Sequence, residues 1–255
     1  MLGWFSQRVF LGAAQRRLIN GGWPVLNYHK ISLAPRQSRD PFLYTKPESF
    51  DRQLALLRRE GFQPANLDDL IAGPSSLAKR VVVTFDDAFL NVLENGLEPL
   101  RRHQVSAIQF VVADLIGQRN EWDVQKGDVA EKLMDAAQIK EWLAAGNEIG
   151  SHSSSHRNLK RLSPKEAREE IFGSKKKLED RFGVEIRHFA YPFGGWTSAV
   201  RDLVAEAGYR SACSMMTGVN DASTDRFLLR RIIPYSSGEI FRKVAHRVAR
   251  KAGLR

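Results

Sequence analysis

One cysteine, Cys213, is present in 255 residues, which excludes an internal disulfide framework and any cysteine-cluster zinc site. Long apolar runs are missing too. The best near the N-terminus is Val9-Phe10-Leu11-Gly12-Ala13-Ala14, too short for the core of a secretory signal. Nothing later reaches the ~18 apolar residues of a spanning helix. The expected location is cytoplasmic, or peripheral at the inner membrane face. Acidic residues are absent from both ends. Residues 1–30 carry Arg8, Arg16, Arg17 and Lys30, and residues 241–255 carry Arg242, Lys243, Arg247, Arg250, Lys251 and Arg255. These cations account for the whole formal net charge of +10, so the stretch between them is neutral. A neutral body without a helix-turn-helix or finger pattern argues against nucleic acid as a partner. Two basic ends fit an anionic membrane surface.

What is there is globular in composition: 43% hydrophobic and 27% charged residues. At both ends apolar residues recur at helical spacing, Leu2, Phe5, Val9 and Ala13 first, and Ile240, Phe241, Val244 and Val248 last. We expect a basic amphipathic segment over 1–23, a main domain over 24–238 and a basic C-terminal helix over 239–255. The plainer alternative is that these helices pack on the body and leave their charges in water. Between the ends, strands and helices alternate. Strands are expected at 24–29, 80–85, 106–112, 148–150, 188–191, 209–214 and 228–233. Helices are expected at 47–60, 91–103, 136–145, 163–182 and 197–207. Such alternation implies a parallel sheet with helices outside, as a barrel or a doubly wound sheet. Residues 116–135 and 217–227 read as long loops.

Three strand ends carry unusual polar residues. Asp86-Asp87 follows the buried run Val81-Val82-Val83. Two adjacent carboxylates there repel, and a cation between them would relieve it, although an Asx turn or helix cap also uses Asp. Ser151-His152-Ser153-Ser154-Ser155-His156 puts two histidines four apart, a spacing that suits zinc, in what could also be a plain polar loop. Taken together, two histidines and one carboxylate suit a catalytic metal site with open positions. Phe189-Ala190-Tyr191-Pro192-Phe193-Gly194-Gly195 makes a tight turn that could expose backbone N–H groups to an oxyanion.

With these segments in this order, the chain resembles the polysaccharide deacetylases, the NodB-homology domain of carbohydrate esterase family 4, over roughly residues 24–234. Thr84-Phe85-Asp86-Asp87, His152 to Leu159 and Phe189 to Gly195 look like the family's first three motifs. The resemblance implies a distorted (β/α) barrel. It implies Asp86 as general base, Asp87, His152 and His156 as ligands of a divalent metal, usually zinc, and the Phe193 N–H as oxyanion donor. The usual late histidine motif is not obvious, His246 lying in the basic tail. Leu26-Asn27-Tyr28-His29 instead resembles the N-terminal histidine motif of a permuted subgroup acting on poly-N-acetylglucosamine-type glycans, which makes His29 the general-acid candidate. Two positions depart from the pattern. Ala88 replaces the glycine after the paired aspartates, and Ala190 stands where many members carry an arginine that orients the base, a role open to Arg230 or Arg231.

The implied reaction is hydrolysis of an N-acetyl group on an amino sugar in a polysaccharide, oligosaccharide or lipid-linked glycan. Alternatives are a metal-dependent amidohydrolase of the same fold on a non-sugar amide, or a member that has lost catalysis and only binds glycan or membrane. Trp122, Trp196 and Tyr191 are candidates for sugar stacking, with simple packing as the alternative for each.

Overall fold

The computed structural model describes residues 22–73 and 79–234. The expected C-terminal helix lies wholly outside these residues, and so does the N-terminal segment apart from Gly22 and Trp23.

The frame is a ring of parallel strands. These are β1 (Val25–Tyr28), β5 (Arg80–Phe85), β6 (Ala107–Val111), β7 (Glu148–Ser151), β8 (His188–Ala190), β9 (Ser211–Thr217) and β10 (Leu229–Arg231), hydrogen-bonded in that order. The ring closes where Ile232 bridges Leu26, with Asn27 N–H donating to Ile232 O at 2.9 Å and Ile232 N–H to Val25 O at 2.8 Å. Two-residue strands complete the inventory. β2 (Lys30–Ile31) pairs with β3 (Tyr44–Thr45), and β4 (Gln63–Pro64) pairs with the first residues of β5. Val81, Val82 and Val83 are buried on both faces, as a strand between barrel interior and helix layer requires.

The alternation of each strand sorts its side chains into two cores. Val25, Val82, Ile108, Phe110, Ala190, Cys213 and Leu229 fill the barrel. The larger core packs the outward faces against helices. Gly150 is needed in β7 because a Cβ there would lie 2.6 Å from the Phe110 ring of the inner core. The helices are α1 (Pro47–Arg59), α2 (Leu67–Ile71), α3 (Leu90–Arg102), α4 (Glu121–Val124), α5 (Ala136–Ala144), α6 (Pro164–Phe182) and α7 (Ser198–Glu206). Several of their starts are capped by side chains. Ser163 and Glu166 form a reciprocal capping box before α6, and Asp135 with Gln138 does so before α5. Among the described residues no helix is long and apolar enough to cross a membrane. The (β/α) barrel expected from the resemblance is therefore the observed architecture.

Candidate active site

The site lies at the carboxyl ends of the strands, where α/β barrels place their chemistry. β5 delivers Asp86 and Asp87, β7 runs into His152 and His156, and β1 runs into His29. They open into a cleft of about 840 Å³ that is also lined by Trp122, Asp123, Tyr191, Phe193 and Met215. The backbone here is forced. Asp87, Ala88, Ser153, His156 and Phe193 all take φ between +56° and +75°, a region that non-glycine residues enter at a cost of ~1 kcal/mol or more. Ala88 adopts the turn despite its Cβ, held by Met134 N–H donating to Ala88 O at 2.8 Å.

Asp87, His152 and His156 bring one ligand atom each to within 4.8 Å of one another, and all three residues are buried. Asp87 Oδ1 lies 3.4 Å from His152 Nε2 and 3.1 Å from His156 Nε2. His152 Nδ1 sits 2.8 Å from Ala190 O and must donate to it, which leaves Nε2 as a bare acceptor. Asp87 Oδ1 is buried and accepts no hydrogen bond. Two acceptors facing each other without a proton between them suit a cation, and the nitrogen and oxygen donor set suits zinc. Burial lowers the pKa of His152, and that of His156 to about 3, so both rings are neutral and ready to ligate at pH 7. Burial also pushes the Asp87 carboxyl above the usual carboxylate range, against the pull of His152 and His29. The His156 ring is walled by Trp122, centroids 4.0 Å apart, and by Phe193 at 4.5 Å.

Asp86 is held differently. Arg231 grips it with both arms, Nη1 to Oδ1 at 2.7 Å and Nη2 to Oδ2 at 2.8 Å, and Asn27 Nδ2 adds a bond to Oδ2 at 3.3 Å. Burial pushes its pKa up, but the Arg231 guanidinium, with His152 and His29, overrides that and holds the carboxyl well below the usual range. Of the two arginines left open by sequence, Arg231 meets Asp86, from inside the barrel, and Arg230 is exposed. His29 Nε2 lies 3.7 Å from Asp86 Oδ2, and burial lowers its pKa against the pull of Asp86 and Asp87. In the third turn, Gly194 and Gly195 N–H groups are spent on Tyr191 O and Pro192 O; the Phe193 N–H is not.

The aromatic candidates separate. Trp122 lines the cleft, Trp196 does not, and Tyr191 is buried at its floor with its hydroxyl donating to Phe227 O at 3.0 Å. Trp196 and Tyr191 therefore serve packing. Sequence reading missed Asn27 and Met215 beside Asp86, and Glu170 of α6, which accepts the Ser155 N–H at 2.9 Å and so pins the loop carrying both histidines. Their partners are up to 188 residues away in the chain, and no local pattern marks them.

The family model for polysaccharide deacetylase matches residues 74–212, more than half of the chain. The chain belongs to the polysaccharide deacetylase family. That makes it a hydrolase of carbohydrate esterase family 4. YxkH of Bacillus subtilis, which bears the same family name, is 24% identical over 224 residues, covering 86% of this chain and 74% of its own. A peptidoglycan-N-acetylglucosamine deacetylase, PgdA of Listeria monocytogenes, is 29% identical over 129 residues, covering 50% of this chain and 23% of its own. Among solved structures, IcaB from Ammonifex degensii superposes with a TM-score of 0.72 at 22% identity, covering 88% of this chain and 95% of its own. That likeness concerns the fold.

Proposed function

We propose that this deacetylase removes N-acetyl groups from an N-acetylglucosamine-type glycan, using a divalent cation, zinc by preference, held by Asp87, His152 and His156. The observation that carries this reading is the convergence of three buried ligand atoms, with Asp87 Oδ1 unbonded, beside a carboxylate held ionised. Bound there, the cation supplies Lewis-acid polarisation of the acetyl carbonyl and acidifies the attacking water. The chain's own groups do the rest. Asp86, kept ionised by Arg231, takes the water's proton. The unspent Phe193 N–H is the donor for the oxyanion. His29 gives a proton to the leaving amine. Because burial keeps its ring neutral in the resting protein, that proton is one it acquires during turnover, with Asp86 Oδ2 the nearest carboxylate oxygen. The amino-sugar substrate is supported by the likeness to PgdA, a peptidoglycan-N-acetylglucosamine deacetylase.

The test is acetate release from N-acetylglucosamine oligomers by wild type and Asp86→Asn, each metal-stripped and reloaded with Zn²⁺. Activity that needs both the metal and Asp86 supports the reading. Zinc binding without acetate release would overturn the substrate and favour a non-sugar amide. No metal binding at all would overturn the site.

One observation favours a location. Among the described residues, the exposed large apolar side chains are Leu33, Phe193, Met215 and Met216. All four sit at the carboxyl end of the barrel, and the chain leaves β10 toward that end with the basic tail to follow. We propose that this rim rests on an anionic membrane. Flotation with anionic vesicles but not zwitterionic ones is expected, and equal behaviour toward both would sink the idea.

A further inference from the structure

Among the cleft-lining side chains without a step in the hydrolysis, Met215 touches the groups that hold the base. Met215 lies in the outer half of β9 and is 38% exposed. Its Sδ is 3.4 Å from Asn27 Nδ2 and 3.5 Å from Arg231 Nη2. These same two nitrogens donate to Asp86 Oδ2, at 3.3 and 2.8 Å. Sulfur and carboxylate oxygen thus share both donors. A thioether is a weak acceptor, so the carboxylate keeps the protons. The other side of Met215 presses on the turn that carries Phe193. A Cβ on Gly194 would lie 2.6 Å from Met215 Cβ and 2.8 Å from its Cγ, so that position has room only for glycine. Met215 is wedged between the grip on the base and the turn that holds the oxyanion donor.

We propose that Met215 is an oxidation-sensitive positioning residue, and that its conversion to the sulfoxide by a peroxide pulls Asn27 and Arg231 off Asp86 and disables the enzyme. The step balances. A sulfur lone pair attacks one oxygen of hydrogen peroxide and the O–O bond breaks. A sulfur–oxygen bond forms, and the second oxygen leaves as water with both protons. The thioether is oxidised by two electrons and the peroxide reduced by two. The apolar, flexible side chain becomes polar. Its new oxygen is a strong acceptor beside the two donors that Asp86 needs. The open cleft gives peroxide its access. Met216 is a control built into the chain. It is equally exposed at 38%, is the next residue along, and does not line the cleft. Met134 is fully buried.

The inference rests on the deacetylase reading above, and untreated enzyme tests that reading first. Zinc-loaded protein is titrated with hydrogen peroxide. Acetate release, bound zinc and peptide masses at Met215 and Met216 are followed together. We expect kcat to fall about tenfold or more, with the ~10²–10⁴ that a positioned base contributes as the ceiling. The loss should track the Met215 sulfoxide and not the Met216 one, leave bound zinc unchanged, and reverse with methionine sulfoxide reductases. Met215→Leu should have a reduced kcat that peroxide no longer changes, while Met216→Leu stays as sensitive as wild type. Full activity with Met215 oxidised, or a Met215→Leu enzyme still inactivated by peroxide, overturns the proposal. The contact is also read without substrate. The Arg231 guanidinium and Asn27 amide NMR signals should shift on Met215 oxidation, and unmoved signals overturn the proposal even if no acetate is released by any form.

Discussion

At the amino end of the barrel Asp68 of α2 is shared by Arg187 and Arg210. Arg187 also meets Glu148 at 2.8 Å, and Arg210 takes both oxygens of Glu185 at 2.9 and 2.8 Å. At the carboxyl end Asp87 is more deeply buried, accepts no hydrogen bond on Oδ1, and faces two neutral histidines. Non-glycine residues with positive φ cluster there as well; Gln104 alone among the described ones lies elsewhere. One end neutralises its charges with partners and relaxed backbone, and so contributes stability. The other leaves Asp87 Oδ1 unsatisfied among strained turns, as the proposed cation site requires. Electrostatics alone does not separate the two ends. What separates them is that Asp68 has cationic donors on it, whereas Asp87 Oδ1 has none.

The sharpest way to break this comparison is Asp87→Asn. Zinc affinity, read by chelator competition, should fall more than ~100-fold, since a ligand is worth at least as much as the groups that orient it. The metal-free variant should nonetheless be more stable than metal-free wild type, by about 1–3 kcal/mol in urea, because a buried, unbonded carboxylate is replaced by an amide. Lower stability would mean that Asp87 is paired after all. Arg187→Ala addresses the opposite end. A loss of about 1–2 kcal/mol is expected, discounted for its partial exposure, with acetate release unchanged. A matching fall in kcat would show that the ends are coupled.

The pH dependence sharpens the picture. His188 is buried at the amino end, with Ser211 Oγ 2.9 Å from its Nδ1 and Asp68 Oδ1 3.6 Å from its Nε2. Burial, then Arg187 and Arg210, lower its pKa to about 3. The unfolded chain therefore takes up this proton near pH 6.5, and the folded one only near 3. Its contribution is complete above pH 6.5 and declines as pH falls toward 3. Denaturation midpoints of metal-free protein should show a shallower acid slope in His188→Gln over that window. An unchanged slope would remove His188 from the account. The smallest effect is expected from Ala88→Gly. Releasing the Cβ at φ +61° should add about 0.5–1 kcal/mol with turnover little changed. Destabilisation would mean the turn at Asp87 carries no strain.

Much of the frame was legible. The β5 expectation matches the observed Arg80–Phe85, and α6 runs Pro164–Phe182 behind its Ser163 cap, because β-branched runs and capping boxes are local signals. The two-residue strands β2, β3 and β4 and the short α2 and α4 were not foreseen. Elements that short have no periodicity to read, and pairing partners decide them. Residues 116–135, expected as a loop, hold α4 and form the cleft wall that carries Trp122. β9 runs to Thr217, three residues past its expected end, because pairing with β10 continues there.

The site divides along the same line. By itself the sequence determined which atoms are available: paired carboxylates after a buried strand, two histidines four apart and a glycine turn, each at a strand end. Barrel topology then brings strand ends together without further information, so Asp87, His152 and His156 could be anticipated as a cluster. Only the tertiary structure decided how Asp86 is held. The choice of Arg231 over Arg230 depends on which face of β10 points into the barrel, and the contacts of Asn27 and Met215 on how β1 and β9 flank β5 and β10. Those contacts join residues 59 to 188 positions apart. Side-chain direction and closure of the ring set them, and neither is written in any local stretch of chain.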